Sequence, residues 1–343
     1  MQQIIDFVIP WVDGNDPEWQ AERAKYQLQK EGGDTRECKY RDMKLMRYWF
    51  RAVEKFAPWV NKIHFVTCGH YPKWLDLSHP KLNFVKHSDY MPQECLPTFN
   101  SNAIELNFHK IKNLSENFVL FNDDMFILKK LKPSDFFQKD IPCDQALLRS
   151  ITPTIDDLKF VRHLYNNIAV INKHFKKHIV IKKHLFKWFN LNYGIFSNYV
   201  NFLNFRQIRF SGMHDPHLPI AYKKSEFEFV WQIENDLLRQ TTSHQFRDEA
   251  DVSDWLVRYF RVMKGEFKPY PVLGKNFVIE NNSVEGICND IKKQAYKMIC
   301  INDTDIENDE FEILVQKISN AFEIILPEKS EFEKSFFEEK NNV

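Results

Sequence analysis

Across residues 1–130, short apolar runs alternate with longer amphipathic ones. This is the pattern of strands alternating with helices around a mostly parallel sheet. Ile4–Ile9 reads as a first buried strand. Asp16-Pro17-Glu18 reads as a helix start, with Asp as cap and Pro in the first helical position. That helix is expected to run to about Glu31 and stop at Gly32-Gly33. Leu45, Tyr48, Trp49, Ala52 and Phe56 share one face of a second helix, Asp42–Phe56, which Pro58 ends. Strands are expected at Lys62–Thr67 and Leu82–Lys86, then a helix over Ser101–Lys112 and a strand over Asn117–Phe121. Lys130–Arg209 lacks this rhythm and reads as an insertion with helical patches. Helical patterns return at Pro219–Arg239 and Asp251–Lys264. After a break at Pro269–Pro271 they return again at Glu310–Phe322, before a turn at Pro327 and an acidic tail beyond Glu338.

The expected fold class is α/β and Rossmann-like, with a mostly parallel sheet, a helical insertion and a helical C-terminal region. The divisions are 1–130 for a nucleotide-sugar-binding core, 131–211 for a basic cap and 212–343 for a helical region that completes the site. The polar motifs support this reading by their placement. Asp13 and Asp16 follow the first strand, Cys68-Gly69-His70 the second, His87-Ser88-Asp89 the third, and Asn122-Asp123-Asp124 the fourth. Ligands of open α/β sheets bind outside the carboxyl ends of the strands.

Composition narrows the class. Hydrophobic residues make up 43% and charged residues 27%, so the chain can build an ordinary globular core. With nine glycines it carries no G-x-G-x-x-G or Walker-type phosphate loop. No apolar run reaches the ~20 residues needed to span a bilayer, and the N-terminus reads as a strand rather than a signal peptide. Six cysteines without a C-x-x-C pair read as buried thiols of a cytoplasmic protein. Net charge is zero, yet no Asp or Glu occurs from Leu158 to His214, and acids outnumber lysines after Ile301. The basic middle suits an anionic ligand or an anionic membrane surface. In particular, lysines and histidines interleave with apolar residues over Asn172–Phe189, and that stretch fits peripheral contact with an anionic membrane, a lid over an anionic donor, or packing on the acidic tail. His174 and His178 lie four apart, but the lysines between them disfavour a metal pair.

Asp123 and Asp124 at the mouth of a buried strand call for a compensating positive charge. A divalent cation with a phosphorylated ligand supplies it; an Asx turn capping the strand is the plainer reading. Ser101 and Glu105 lie on one helical face, Ser101 where free backbone N–H groups meet an anion or simply as a helix cap.

These motifs resemble those of the Stealth family of sugar-phosphate transferases. That family is found in bacterial capsule and surface-polysaccharide synthesis and in the lysosomal-enzyme N-acetylglucosamine-1-phosphotransferase. Ile5–Glu18 (IDFVIPWVDGNDPE) resembles its first region. Tyr40–Phe126 resembles the second, with APWVNKIHFVT, LPTFNSNAIE and FNDDMF. Gly212–Gly265 resembles the third, with His214-Asp215-Pro216-His217 and Phe246-Arg247, and Ile299–Glu333 the fourth. The resemblance departs at Leu45–Arg51, where many relatives carry Glu-Leu-Arg-Tyr-Ser-Leu-Arg, and at Pro10, where many carry Thr.

The resemblance implies transfer of a hexose 1-phosphate from a UDP-sugar to a hydroxyl of an oligosaccharide or lipid-linked glycan, with release of UMP and no role for nucleic acid. Asp123 and Asp124 would hold Mg²⁺ or Mn²⁺, with Asn122 fixing the turn. Glu105 would act beside them or on a sugar hydroxyl. His214 is the preferred base for the acceptor and His217 the alternative. Arg247 would bind the transferring phosphate, with Asp251 orienting it or capping the next helix. Asp13 suits the nucleotide, while Asp16 reads as a helix cap. A conventional metal-dependent glycosyltransferase releasing UDP is the rival reading.

Overall fold

The computed structural model describes residues 3–27, 40–153, 158–304 and 306–334. The Gly32-Gly33 stop, Cys38 and the acidic tail after Glu338 lie outside the described residues. The strands are β1 (Ile5–Pro10), β2 (Ile63–Thr67), β3 (Leu82–Lys86), β4 (Asn117–Leu120), β5 (Met125–Ile127), β6 (Phe137–Gln138), β7 (Ile141–Asp144), β8 (Ile220–Lys223), β9 (Lys268–Pro269), β10 (Gly274–Val278) and β11 (Met298–Asn302). The main sheet runs β3-β2-β1-β4-β8, parallel except for the antiparallel edge strand β8. β2 and β4 are buried throughout and β1 in all but its last residue, as befits parallel strands covered on both faces.

Two apolar cores flank this sheet. One joins the helix Met46–Phe56 to the C-terminal helix Asn308–Ile325 and to a second sheet, β10-β11-β5. The other joins the helices Leu158–His174 and Trp255–Lys264 to the opposite face. The cores therefore cut across the expected 1–130, 131–211 and 212–343 divisions.

Several elements differ from expectation. The helix expected over Asp42–Phe56 begins at Met46, because Asp42 accepts from the Lys44 backbone (2.9 Å) in a turn where Lys44 has φ of 57°. The helix expected over Ser101–Lys112 stops at Leu106 and gives way to one 3-10 turn, Phe108–Lys110. Pro219–Arg239 holds the strand β8 followed by two helices, Lys224–Ile233 and Asn235–Ser243. The helix expected from Asp251 begins at Trp255. Residues 131–211 are mainly helical: Leu158–His174, Lys177–Lys183, Leu185–Trp188 and Gly194–Phe205.

The segment after residue 300 is locked by arginines of the second region. Arg51 bonds Glu333 (2.7 and 3.2 Å) and the Leu326 carbonyl (2.8 Å). Arg41 grips both oxygens of Asp303 (2.8 and 2.9 Å). Within the departure at Leu45–Arg51, Arg51 thus faces the C-terminal segment.

Candidate active site

The chain moves from β1 outward to β2 and β3, then returns to place β4 on the other side of β1. The crevice between β1 and β4 is thus the switch point of the sheet, the expected ligand position. Asp13 closes one side of it. Its backbone N–H donates to His70 Nε2 (3.0 Å) and its carboxylate accepts from the Asn15 N–H (2.9 Å). Asp16 caps the next helix by accepting from the Trp19 N–H (2.8 Å), as the Asp-Pro-Glu pattern predicts.

On the other side, the chain leaves β4 and turns tightly through Asn122–Asp124, with the Met125 N–H on the Asn122 carbonyl (3.1 Å). The Ile301 N–H on the Asp124 carbonyl (2.9 Å) fastens this turn to β11. Asp123 is open to solvent at the cleft floor, yet protein crowds it. Burial first, then Asp124 and Asp42, push its carboxyl up to about 8. Burial also raises Asp124, whose Oδ1 is buried without a hydrogen-bond partner. Asp42, absent from the sequence reading of the site, is raised by burial and by Asp13. Four carboxylates thus converge at the ends of β1 and β4.

Asp124, His217 and Cys300 bring potential ligand atoms within 4.8 Å of one another. Burial raises the Cys300 thiol well above its ordinary value, and Asp124 adds to this, so the sulfur stays protonated. The orphaned Asp124 oxygen beside His217 and Cys300 makes this a candidate metal-binding group.

Beside this turn lies a small cavity of about 70 Å³, lined by Asn122, Glu105, His217, Arg247, Asp254 and their neighbours. Larger hollows lie elsewhere, including about 670 Å³ beside Arg41 and the helix Asn308–Ile325, but only the small one gathers these titratable groups. The helix Ser101–Leu106 is capped by Asn100, whose side chain accepts from the Asn102 N–H (3.1 Å). That frees the Ser101 hydroxyl, which accepts from Arg247 Nη2 (2.6 Å). Four residues on, Glu105 is buried and shares a hydrogen bond with Asp254. Burial and Asp254 raise it well above the carboxylate range, so the pair holds a proton. Arg247 opposes that rise and Asp123 adds to it, so Glu105 stands within electrostatic reach of both.

The two histidines separate. His217 lines the cavity, with Nδ1 3.8 Å from Cys300 Sγ and its ring edge-on to Trp255. Its φ of 47° is a left-handed backbone that few non-glycine residues adopt. His214 is not among the lining residues. Burial, Arg258 and Arg149 push it down to about 4, and its Nδ1 is buried without a partner. Of the two, His217 is the one that faces the cavity.

Asp215 anchors the loop between them. It pairs with Arg258 (2.5 Å) and accepts from the Tyr259 hydroxyl, while Arg258 also donates to the His214 carbonyl (3.1 Å). Asp251 is fully buried and engaged: it accepts from Asn100 Nδ2 (2.8 Å) and the Asp248 N–H (2.8 Å) and meets His244 Nδ1 (2.6 Å). These bonds tie Asp251 into the loop that carries Arg247. Its capping reading gives way, since Asp254 stands before that helix.

Two family models match the chain. Stealth protein CR1, conserved region 1, matches residues 5–31, and Stealth protein CR2, conserved region 2, matches residues 39–144. The chain is 41% identical over 332 residues to the exopolysaccharide phosphotransferase cps2G of Lactiplantibacillus plantarum, covering 96% of each. It is 42% identical over 337 residues to a capsular polysaccharide phosphotransferase WcwK of Streptococcus pneumoniae, covering 96% of this chain and 99% of that one. Among solved structures, the bifunctional glycosyltransferase WbbM in its apo form aligns at a TM-score of 0.35 and 10% identity, over 94% of this chain and 52% of that one.

Proposed function

The chain belongs to the Stealth family, and we propose that it is a polysaccharide phosphotransferase that moves a hexose 1-phosphate from a UDP-sugar to a hydroxyl of a glycan acceptor, releasing UMP. One observation carries the reading: Asn122, at the head of an acidic turn with an unpartnered Asp124 oxygen, and an arginine held by Ser101 line one cavity at the sheet's switch point. Phosphoryl transfer needs charge neutralisation and in-line placement more than covalent chemistry.

In this reading the donor's nucleoside lies along the ends of β1 to β3, near Asp13. Asp123 and Asp124 would hold Mg²⁺ or Mn²⁺, which would supply positive charge to neutralise the pyrophosphate. Arg247, steadied by Ser101, binds the transferring phosphate. The acceptor oxygen forms a bond to the phosphorus that bears the sugar, the bridging P–O bond to UMP breaks, and the hydroxyl proton passes to the His217 imidazole. Glu105, its proton engaged with Asp254, accepts a hydrogen bond from a sugar hydroxyl through its other oxygen.

Incubation with a panel of UDP-sugars and an oligosaccharide or lipid-linked acceptor, read by phosphorus NMR and nucleotide chromatography, tests the proposal. A phosphodiester signal with UMP is expected. UDP together with a phosphorus-free linkage would replace the proposal with a conventional glycosyltransferase.

A further inference from the structure

The helix Gly194–Phe205 is built inside out. Asn198, Asn201 and Asn204 lie on its inner face. Asn201 is fully buried, accepting from the Leu148 N–H (2.6 Å) and donating to the Ala146 and Trp188 carbonyls (2.9 and 2.6 Å). Asn198 donates to the Asn190 carbonyl (2.8 Å), and Asn204 accepts from the Ser150 hydroxyl (3.1 Å). The opposite face carries Ile195, Phe196, Tyr199, Phe202 and Leu203, all exposed; Ile195 is 91% and Phe196 78% exposed. Phe186 (82%), Leu191 (95%) and Ile208 (89%) on the adjoining segments are exposed too. A surface helix of a globular protein turns its apolar stripe inward. Here asparagines satisfy the neighbouring backbone, and large side chains are turned to solvent.

Charge decides what covers them. Arg206 and Arg209, directly after this helix, and Lys182 and Lys183, in the helix Lys177–Lys183 that precedes Phe186, are exposed, and no ion pair ties them to a carboxylate among the described residues. No acid occurs from Leu158 to His214. A second copy of the chain would bring an equally basic rim to the contact, with like charges opposed. An anionic lipid surface offers both an apolar layer for the aromatic face and negative headgroups for the rim. No helix is long and apolar enough to cross a membrane, so the contact is peripheral.

We propose that Gly194–Phe205 and its flanks seat the protein on an anionic membrane, the helix lying in the interface with Phe196 and Phe202 inserted. The surface expected from sequence, Asn172–Phe189, supplies part of the basic rim and Phe186. The next helix supplies most of the apolar face.

Flotation of the full-length chain with phosphatidylcholine vesicles, with and without phosphatidylglycerol, tests this without any donor or acceptor and so stands apart from the proposed chemistry. The chain is expected to float with the anionic vesicles, and less so as salt rises. The Phe196→Ser plus Phe202→Ser variant is expected to bind those vesicles about tenfold or more weakly. Its circular dichroism and its turnover of a water-soluble acceptor should be unchanged. Failure of the wild-type chain to float at low salt would overturn the proposal, as would full vesicle binding by the variant. So would a dimer in light scattering that the variant abolishes while neither protein binds vesicles, since the face would then be a self-interface.

Discussion

The Arg258–Arg261 cluster and the Asp123–Asp124 turn both concentrate charge, and they are built in opposite ways. In the first, Arg258 bridges Asp144 and Asp215, and Arg261 bridges Asp144 and Glu226. Although burial works to raise it, Asp144 is held below the ordinary carboxylate value by the two guanidiniums. Every carboxylate there has an arginine. In the second, Asp123 is crowded by Asp124 and Asp42, and one Asp124 oxygen has no partner. The contrast separates charge that holds the His214–His217 loop in place from charge left for a ligand to balance. A fold neutralises what only has to stay; removing one partner from such a cluster is costly, whereas neutralising an unbalanced acid is not.

Breaking the balanced cluster should have the largest effect on stability. Arg258→Ala leaves Asp215 without a guanidinium and Asp144 with Arg261 alone, with an expected cost of about 3–5 kcal/mol in urea denaturation. Donor turnover should fall with it, since Asp215 no longer fixes the loop that presents His217. Asp124→Asn should do the reverse. Turnover is expected to drop about a hundredfold to a thousandfold, the scale of losing one preorganised electrostatic group. The thermal midpoint without added metal should hold or rise, and Mn²⁺ affinity by calorimetry should fall. If Asp124→Asn unfolded the protein as Arg258→Ala does, the two clusters would not differ in kind.

A smaller test uses a third buried pair, Asp6 with His64 (3.0 Å), under the far end of the sheet. Burial works to raise the Asp6 carboxyl, but bonds from His64, Asn61 and Ser115 outweigh it and hold it below its ordinary value. A lowered carboxyl contributes stability that is present above the unfolded value of about 4 and lost as pH falls through the folded one. Asp6→Asn should cost about 1–3 kcal/mol at neutral pH and flatten the acid limb of the stability profile.

The parts of this comparison legible in sequence are those with local signatures. β1, β2 and β4 announce themselves because strands covered on both faces are nearly all apolar, and that also located the acidic turn. β8 was missed because a four-residue edge strand, Ile220–Lys223, has no periodicity to distinguish it from the helix that follows. The β10-β11-β5 sheet was missed because partners far apart in the chain define it: Met298 pairs with Ile127. Asp215 passed unnoticed between two histidines because its partner Arg258 lies 43 residues away. Asp254 and Asp42 likewise acquire their roles only from what folding brings beside them. The cysteine reading followed the same rule: the five described cysteines are free thiols, but Cys68 is exposed and Cys143 half-buried instead of buried, and nothing local to Cys300 foretold its place beside Asp124 and His217.

Ser101 and Asn100 give the finest version of the contrast, because both are good capping residues and sequence alone cannot divide the work between them. The structure assigns the cap to Asn100 and turns the Ser101 hydroxyl toward Arg247. Ser101→Ala should therefore leave the helix intact, with stability changed by less than about 0.5 kcal/mol, as for substitutions that break no cap or buried pair. It should loosen Arg247, lowering kcat by about tenfold, the equivalent of one hydrogen bond of about 1.4 kcal/mol in the transition state, with little change in KM. Ser101→Thr keeps the oxygen and should restore most of the rate. A lower melting point with unchanged kinetics would instead place Ser101 with the groups that hold the fold, on the same side of the comparison as Asp215.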